Sequence, residues 1–280
     1  MLDKAILTTR NIDRAKKKTA NPDAEFLTWS DDFEIPHDWQ IDAVVNLMGE
    51  SIAEGRWTVA KKDRIRNSRI DATDLLVDQI LGMDQKPKVL VAASAVGIYG
   101  DAGDDVVDED YRIADGFLAD VCRDWEAANM RLAEHGVRVV CLRIGIVLGR
   151  EGGALAKMIP LFKWGLGGNL GSGKQFVPWI HVTDLAAMIR WAIDSDDAVG
   201  PVNASAPNPV INADMTRSLA TALGRVALLP APKFGLRLAL GEFADSLFNS
   251  QRVVPKVALD HGFEFRFSTI DQAIRDIVDS

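Results

Sequence analysis

The residues whose types and positions suit chemistry are few. Ser94 closes the continuous apolar run Val89-Leu90-Val91-Ala92-Ala93. A hydroxyl at the C-terminal end of such a strand stands where open α/β sheets hold their ligands, and it equally suits a strand-end serine that satisfies backbone groups. Asn46, Leu47, Met48 and Gly49 end a second apolar run that starts at Ala43. Gly49 either lets the backbone approach a ligand closely or simply turns the chain into a loop. Arg143 follows the run Val137–Leu142, where it either shapes the end of a ligand site or anchors a loop through a carboxylate. Cys122 carries a titratable thiol. His181 has the proton affinity of an acid or base near neutrality, against the plainer role of a structural hydrogen bond in the turn before Asp184 caps a helix. Tyr99, five residues past Ser94, either enters the same cleft or packs at the strand end. The four histidines, His37, His135, His181 and His261, are too scattered for metal-ligand spacing. The basic run Lys61, Lys62, Arg64, Arg66 and Arg69 is broken by Asp63 and Asp71 and reads as a solvated helix face.

These residues need elements to position them. Strands are expected at Ala5–Thr9, Glu25–Trp29, Ala43–Leu47, Val89–Ala93, Val137–Leu142 and Pro201–Asn203. The run at 89–93 is apolar throughout, as in a parallel strand buried on both faces, and Val137–Leu142 reads as another buried strand. Helical periodicity covers Asp13–Lys18, 57–81, Asp115–His135 with Gly136 as its stop, Asp184–Ile193 and 269–278. Residues 150–178 read as glycine-rich loop and short helix. Strand and helix alternating at this spacing predict an α/β fold, a Rossmann-type doubly wound parallel sheet with a smaller, mostly helical C-terminal domain. The expected division assigns 1–149 to the dinucleotide-binding domain, with 176–204 returning to it, and 150–175 and 205–280 to the smaller domain. The late apolar residues Leu236, Leu238, Leu240, Phe243, Leu247 and Phe248 are expected in the core of that smaller domain.

The chain has 280 residues, 48% hydrophobic and 26% charged, with a formal net charge of −8. That acidic balance argues against general binding to nucleic acid or an anionic membrane. No apolar run is long enough for a membrane span. The two cysteines, Cys122 and Cys141, are too sparse for a disulfide framework and suit reduced thiols in the cytoplasm. The Met1-Leu2-Asp3-Lys4 start lacks the apolar core of a signal peptide.

Several segments in order carry a resemblance: Val45-Asn46-Leu47-Met48-Gly49-Glu50, Arg56-Trp57, Ser94-Ala95-Val96-Gly97-Ile98-Tyr99-Gly100-Asp101, Trp125-Glu126, Leu142–Leu148, Gly171–Gln175, Trp179–Leu185 and Ser250–Pro255. Together they resemble the "epimerase family protein" branch of the extended short-chain dehydrogenases/reductases, which joins a Rossmann domain to a C-terminal domain of unknown function. The resemblance implies an NADP(H)-dependent oxidoreductase or epimerase-like protein with a small polar substrate. It places Arg10 at the 2′-phosphate of NADP, Asn46, Leu47, Met48 and Gly49 beneath the cofactor, and Ser94 at the reacting oxygen. Arg143 stands at the nicotinamide or substrate end. The superfamily's catalytic Tyr and Lys fall at Leu118 and Cys122, and its helix Asn at Arg69, so the standard proton path is not encoded. A non-catalytic cofactor-binding sensor or scaffold is the alternative.

Members of this branch open with a strand, a G-x-x-G-x-x-G turn and a helix about 30 residues before the point where this sequence starts. No glycine precedes Gly49. Either the start is misassigned or truncated, which admits a non-binding form, or the protein has dropped its phosphate loop and closes its sheet another way. The loss leaves strand edges unpaired.

Overall fold

The computed structural model describes residues 4–19, 21, 23–30, 32–227 and 230–279. In chain order the elements are β1 (Ile6–Thr9), α1 (Ile12–Lys18), β2 (Glu25–Thr28), β3 (Ala43–Asn46), α2 (Val59–Asn67), α3 (Ile70–Leu81), β4 (Val89–Ala95), β5 (Val106–Val107), α4 (Phe117–Met130), β6 (Arg138–Ile144), β7 (Ile146–Leu148) and α5 (Gly153–Lys163). They continue with β8 (Phe176–Val177), β9 (Trp179–His181), α6 (Val182–Asp194), β10 (Gly200–Ala204), β11 (Val210–Ile211), α7 (Asn212–Ala222), α8 (Lys233–Leu240), α9 (Phe243–Ser246), β12 (Arg252–Val253), α10 (Lys256–Asp260) and α11 (Ile270–Asp279).

The central sheet is parallel, in the order β10-β6-β4-β3. Because side chains alternate across a strand, β4 feeds two cores. Leu90 and Ala92 join Val139 and Cys141 under Leu76, Val77 and Ile80 of α3. Val89 and Val91 join Val140 and Leu142 against Met188 and Ala192 of α6. Helices therefore cover both faces, as a parallel sheet requires, and the expected doubly wound class is the one observed. A third core holds Leu155 and Phe162 of α5, Trp179, Leu219 of α7 and Ile274 of α11. β1 and β2 form a separate parallel pair, and among the described residues no strand joins β1 to β3. Beside that gap Leu47 is 55% exposed.

The helical run expected over 57–81 divides at Ser68 and Arg69. Ser68 turns its hydroxyl to the Ile65 carbonyl and accepts the Glu50 backbone N–H, which stops α2 and lets α3 start on a new axis. Residues 150–178 contain the eleven-residue α5, with Pro160 inside it. Of the late apolar residues Phe243 is buried, but Leu238 is 67% exposed, so α8 is not a core helix throughout.

Candidate cofactor and substrate site

The carboxyl ends of β3, β4, β6 and β10 define one edge, and the sequence-predicted residues lie along it in two groups. The first group gathers at the end of β3. Asn46 is buried, and its amide donates to Thr73 Oγ1 at 3.0 Å, an acceptor it shares with the indole N–H of Trp125, also at 3.0 Å. Its Oδ1 accepts the Met48 N–H at 3.1 Å, which bends the chain out of the strand. Asn46 is thereby the polar pin of the turn, and Met48 packs into the core below. Gly49 passes so close to Arg69 that a Cβ there would sit 2.9 Å from the guanidinium carbon. Arg69 occupies the N-cap position of α3. Its guanidinium lies 5.2 Å from the Trp125 ring centre, with the Gly49 backbone also against it, an arrangement that favours a cation. Nη1 donates to the Ile65 carbonyl at 3.0 Å, and among the described residues its other donors have no acceptor. Burial lowers the Arg69 pKa, while the neighbouring Cys122 and Glu50 act the other way; an arginine stays charged regardless.

The second group is a closed network. Ser94, Arg143 and Asn203 are register neighbours on β4, β6 and β10. Ser94 donates to Glu126 Oε1 at 2.6 Å. Arg143 holds the same carboxylate in a two-pronged ion pair, Nε to Oε1 and Nη2 to Oε2, both 2.9 Å. Its remaining prong donates to the Tyr99 hydroxyl at 2.9 Å and the Glu109 carbonyl at 3.1 Å. Tyr99 in turn donates to Asn203 Oδ1 at 2.7 Å. Ser94 is 3% and Arg143 4% exposed. Burial works against the Arg143 charge, but the hydrogen bond and attraction of Glu126 outweigh it and hold its pKa above the ordinary value. Burial pushes the Tyr99 hydroxyl up to about 12 despite Arg143 beside it, so at neutral pH it stays a phenol. Of the two roles open to Tyr99, the structure shows packing; of the two open to Arg143, it shows the carboxylate anchor.

Cys122 is buried on α4, and burial, reinforced by Glu126, pushes its thiol up to about 12. One turn earlier Leu118 faces a cleft of about 460 Å³ between the start of α4 and the α8–α9 segment. Trp57 and Phe117 line it, their rings 5.3 Å apart edge to face, and Phe243 lies 5.5 Å from Trp57. Gly97 and Gly100 form its floor. A Cβ at Gly100, where φ is +60°, would meet Ala114 at 2.6 Å. Arg10 lies exposed just past β1. His181 lies elsewhere, and it, rather than Asp184, caps α6: its Nδ1 accepts the Thr183 N–H at 3.1 Å. Asp184 instead accepts the backbone N–H groups of Arg266 and Phe267 and ties the C-terminal segment to the first turn of α6.

A parallel sheet covered by helices on both faces, with polar groups ranged along its carboxyl edge, is the Rossmann-type architecture of NAD(P)-binding proteins. The profile of the NAD dependent epimerase/dehydratase family matches residues 6–205, and a domain of unknown function follows at 231–277. The chain belongs to that epimerase/dehydratase family. It is 40% identical to an epimerase family protein of Mycobacterium leprae over 90% of this chain and 82% of that one. It is 43% identical to the Arabidopsis thaliana chloroplastic homologue of epimerase family protein SDR39U1, over 84% of this chain and 68% of that one. Among solved structures, human SDR39U1 (isoform 2) with NADPH superposes with a TM-score of 0.88 at 33% identity, covering 98% of this chain and 90% of that one. UDP-glucuronic acid 4-epimerase of Bacillus cereus, solved with UDP-glucuronic acid and NAD, shares the fold at a TM-score of 0.72 and 14% identity, covering 95% of this chain and 83% of that one.

Sequence reasoning found the two ends of the polar network, Ser94 and Arg143, but not Glu126, which joins them across the α4–sheet interface. Trp57 and Phe117 also escaped as a pair, since about 60 residues separate them. The Arg56-Trp57 motif was the available signal for one half of that pair.

Proposed function

We propose that the protein binds NADP(H) along the carboxyl edge of its sheet and works in the cytoplasm as an oxidoreductase or epimerase-like enzyme without the usual Tyr/Lys pair. The observation that carries this reading is the Arg69 guanidinium, half-buried on Trp125 and Gly49 with donors unclaimed by any described residue. Those donors are open to a ligand, and the hydroxyls of a cofactor ribose are acceptors of the right kind. The residues present therefore fit the nicotinamide half of the group. For the other half, the exposed Arg10 offers a fork that matches the 2′-phosphate.

When bound, the cofactor supplies or accepts a hydride; the protein's residues bind and orient. Gly49 leaves room at the edge, Arg69 holds hydroxyls, and Asn46 fixes the turn that carries both. In this reading Ser94 either reaches the reacting oxygen with its lone pairs or serves only to hold Glu126. Its short bond to a carboxylate favours the second role. Cys122, held as a thiol, supplies neither a fixed charge nor a thiolate at neutral pH.

Titration calorimetry with NADPH and NADH tests the reading. NADPH is expected to bind more tightly than NADH by about tenfold or more, as a charge-assisted contact implies, and Arg10→Glu is expected to erase the difference. No heat with either cofactor overturns it. The second reading, a binding protein without turnover, gains from the same absence of a titratable group at 118. It predicts binding without NADPH oxidation on any carbonyl compound.

A further inference from the structure

The chain leaving β3 is gripped by a buried lysine. Lys61, in the first turn of α2, is 4% exposed, a burial that lysine accepts only when it is paired. Its ammonium donates to Glu50 Oε1 at 2.6 Å and to the Ser51 carbonyl at 2.8 Å. It thus holds the two residues after Gly49, one by its side chain and one by its backbone. At the other end of α2, Ser68 Oγ accepts the Glu50 backbone N–H at 2.9 Å. Arg64 also reaches Glu50, with Nε 3.3 Å from Oε2, but it is exposed, and a solvated ion pair of that kind contributes little.

Gly49 stands between this grip and Arg69. It is bonded directly to Glu50, and its backbone lies against the guanidinium, whose other neighbour is the Trp125 ring at 5.2 Å. The fit leaves no slack on the Gly49 side, since a Cβ there would come within 2.9 Å of the guanidinium carbon. The guanidinium therefore keeps its seat only while Gly49 keeps its own. Resting on the NADP(H) reading for its ligand, we infer that Lys61 is the positioning residue of the Arg69 shelf: through Glu50 and Ser51 it sets Gly49, and so holds the guanidinium on Trp125 with its open donors ready for a ligand. Its own donors go to Glu50 and Ser51, so it acts through the shelf and not on the cofactor. An ion pair of this kind adds little net stability, because desolvation offsets most of the attraction, and what it supplies is geometry.

Two measurements on the full chain test this. The first is the NADPH dissociation constant, by titration calorimetry, of Lys61→Met, Arg69→Met and the double variant. Lys61→Met is expected to weaken binding about threefold or more, the lower end of what coupled neighbours show. The double variant is expected to bind as Arg69→Met does, because Lys61 then has nothing left to position. Effects that multiply in the double variant, or full affinity in Lys61→Met, overturn the inference. If Lys61→Met does not fold, Glu50→Gln, on a half-buried position, removes the charge that Lys61 grips and keeps the shape. It is expected to show the same coupling to Arg69→Met on a smaller scale, and an independent effect or none overturns the inference there too. The second measurement is hydrogen–deuterium exchange without cofactor. Peptides covering 47–53 are expected to lose protection in whichever of the two variants folds, while those of β4 and β6 keep it. A loss spread evenly over the chain, or no loss, overturns the inference. Local loss of protection in a chain that does not bind NADPH leaves the inference standing and removes the cofactor reading; NADPH binding with affinity and protection both unchanged does the reverse.

Discussion

The network around Glu126 and the shelf around Arg69 share α4 and one sheet edge, yet they treat charge in opposite ways. Arg143 spends its guanidinium on Glu126, Tyr99 and a carbonyl, all inside the protein. Arg69, seated over Trp125 on the same helix as Glu126, spends one donor on Ile65 and keeps the rest. The first is what a buried ion pair needs if its desolvation is to be offset. The second leaves donors open, which is what the proposed contact with a cofactor needs. A serine and an arginine at strand ends are therefore not evidence of chemistry by type and place alone; what separates them from a ligand site is whether their hydrogen bonds are already made.

The largest effect should come from cutting the network. Glu126→Ala leaves the Arg143 charge buried and unpaired, and should cost about 3–5 kcal/mol in urea denaturation. The double change Glu126→Leu with Arg143→Met should cost clearly less, since it removes both charges; a cost equal to the sum of the singles would mean that the pair is not coupled. Ser94→Ala removes one bond to a carboxylate and should cost about 1.5–3 kcal/mol.

A smaller, pH-dependent effect belongs to His181. Burial lowers its pKa, against the attraction of Asp276 and Asp184 and with the help of Arg266. The folded state thus keeps it neutral where the unfolded chain, titrating at about 6.5, takes up a proton. Its contribution is complete above that value and falls as pH drops through it. His181→Asn keeps a cap acceptor and should flatten the decline below about pH 6.5 in thermal melts. An unchanged slope would place the loss elsewhere. Smallest of all, Cys122 should stay unlabelled by a thiol reagent at about pH 8 until the protein unfolds, as a buried thiol does.

Much of the fold was legible because it rests on period. The run at 89–93 is apolar at every position and 137–142 at every position but Arg138, as in strands covered on both faces. The division at Ser68–Arg69 was not legible, because Ser68 interrupts the helix by bonding to Glu50, 18 residues away. The site was legible in position but not in role. Ser94 and Arg143 stand where the edge predicts, but their partner Glu126 sits on a helix, and no local pattern tells whether a strand-end hydroxyl faces a ligand or a carboxylate below it. His181 shows the same limit on a smaller scale: cap and acid look alike in sequence, and only the Thr183 N–H at 3.1 Å decides.

The central claim is that ligand contact belongs to Arg69 and not to the Ser94 network. The direct measurement is the NADPH dissociation constant of Arg69→Met and Ser94→Ala, side by side with the unaltered chain. The account predicts that Arg69→Met binds about tenfold more weakly or worse, as the loss of a charge-assisted contact implies, while Ser94→Ala binds as the unaltered chain does. Weakened binding by Ser94→Ala with Arg69→Met unchanged would contradict it.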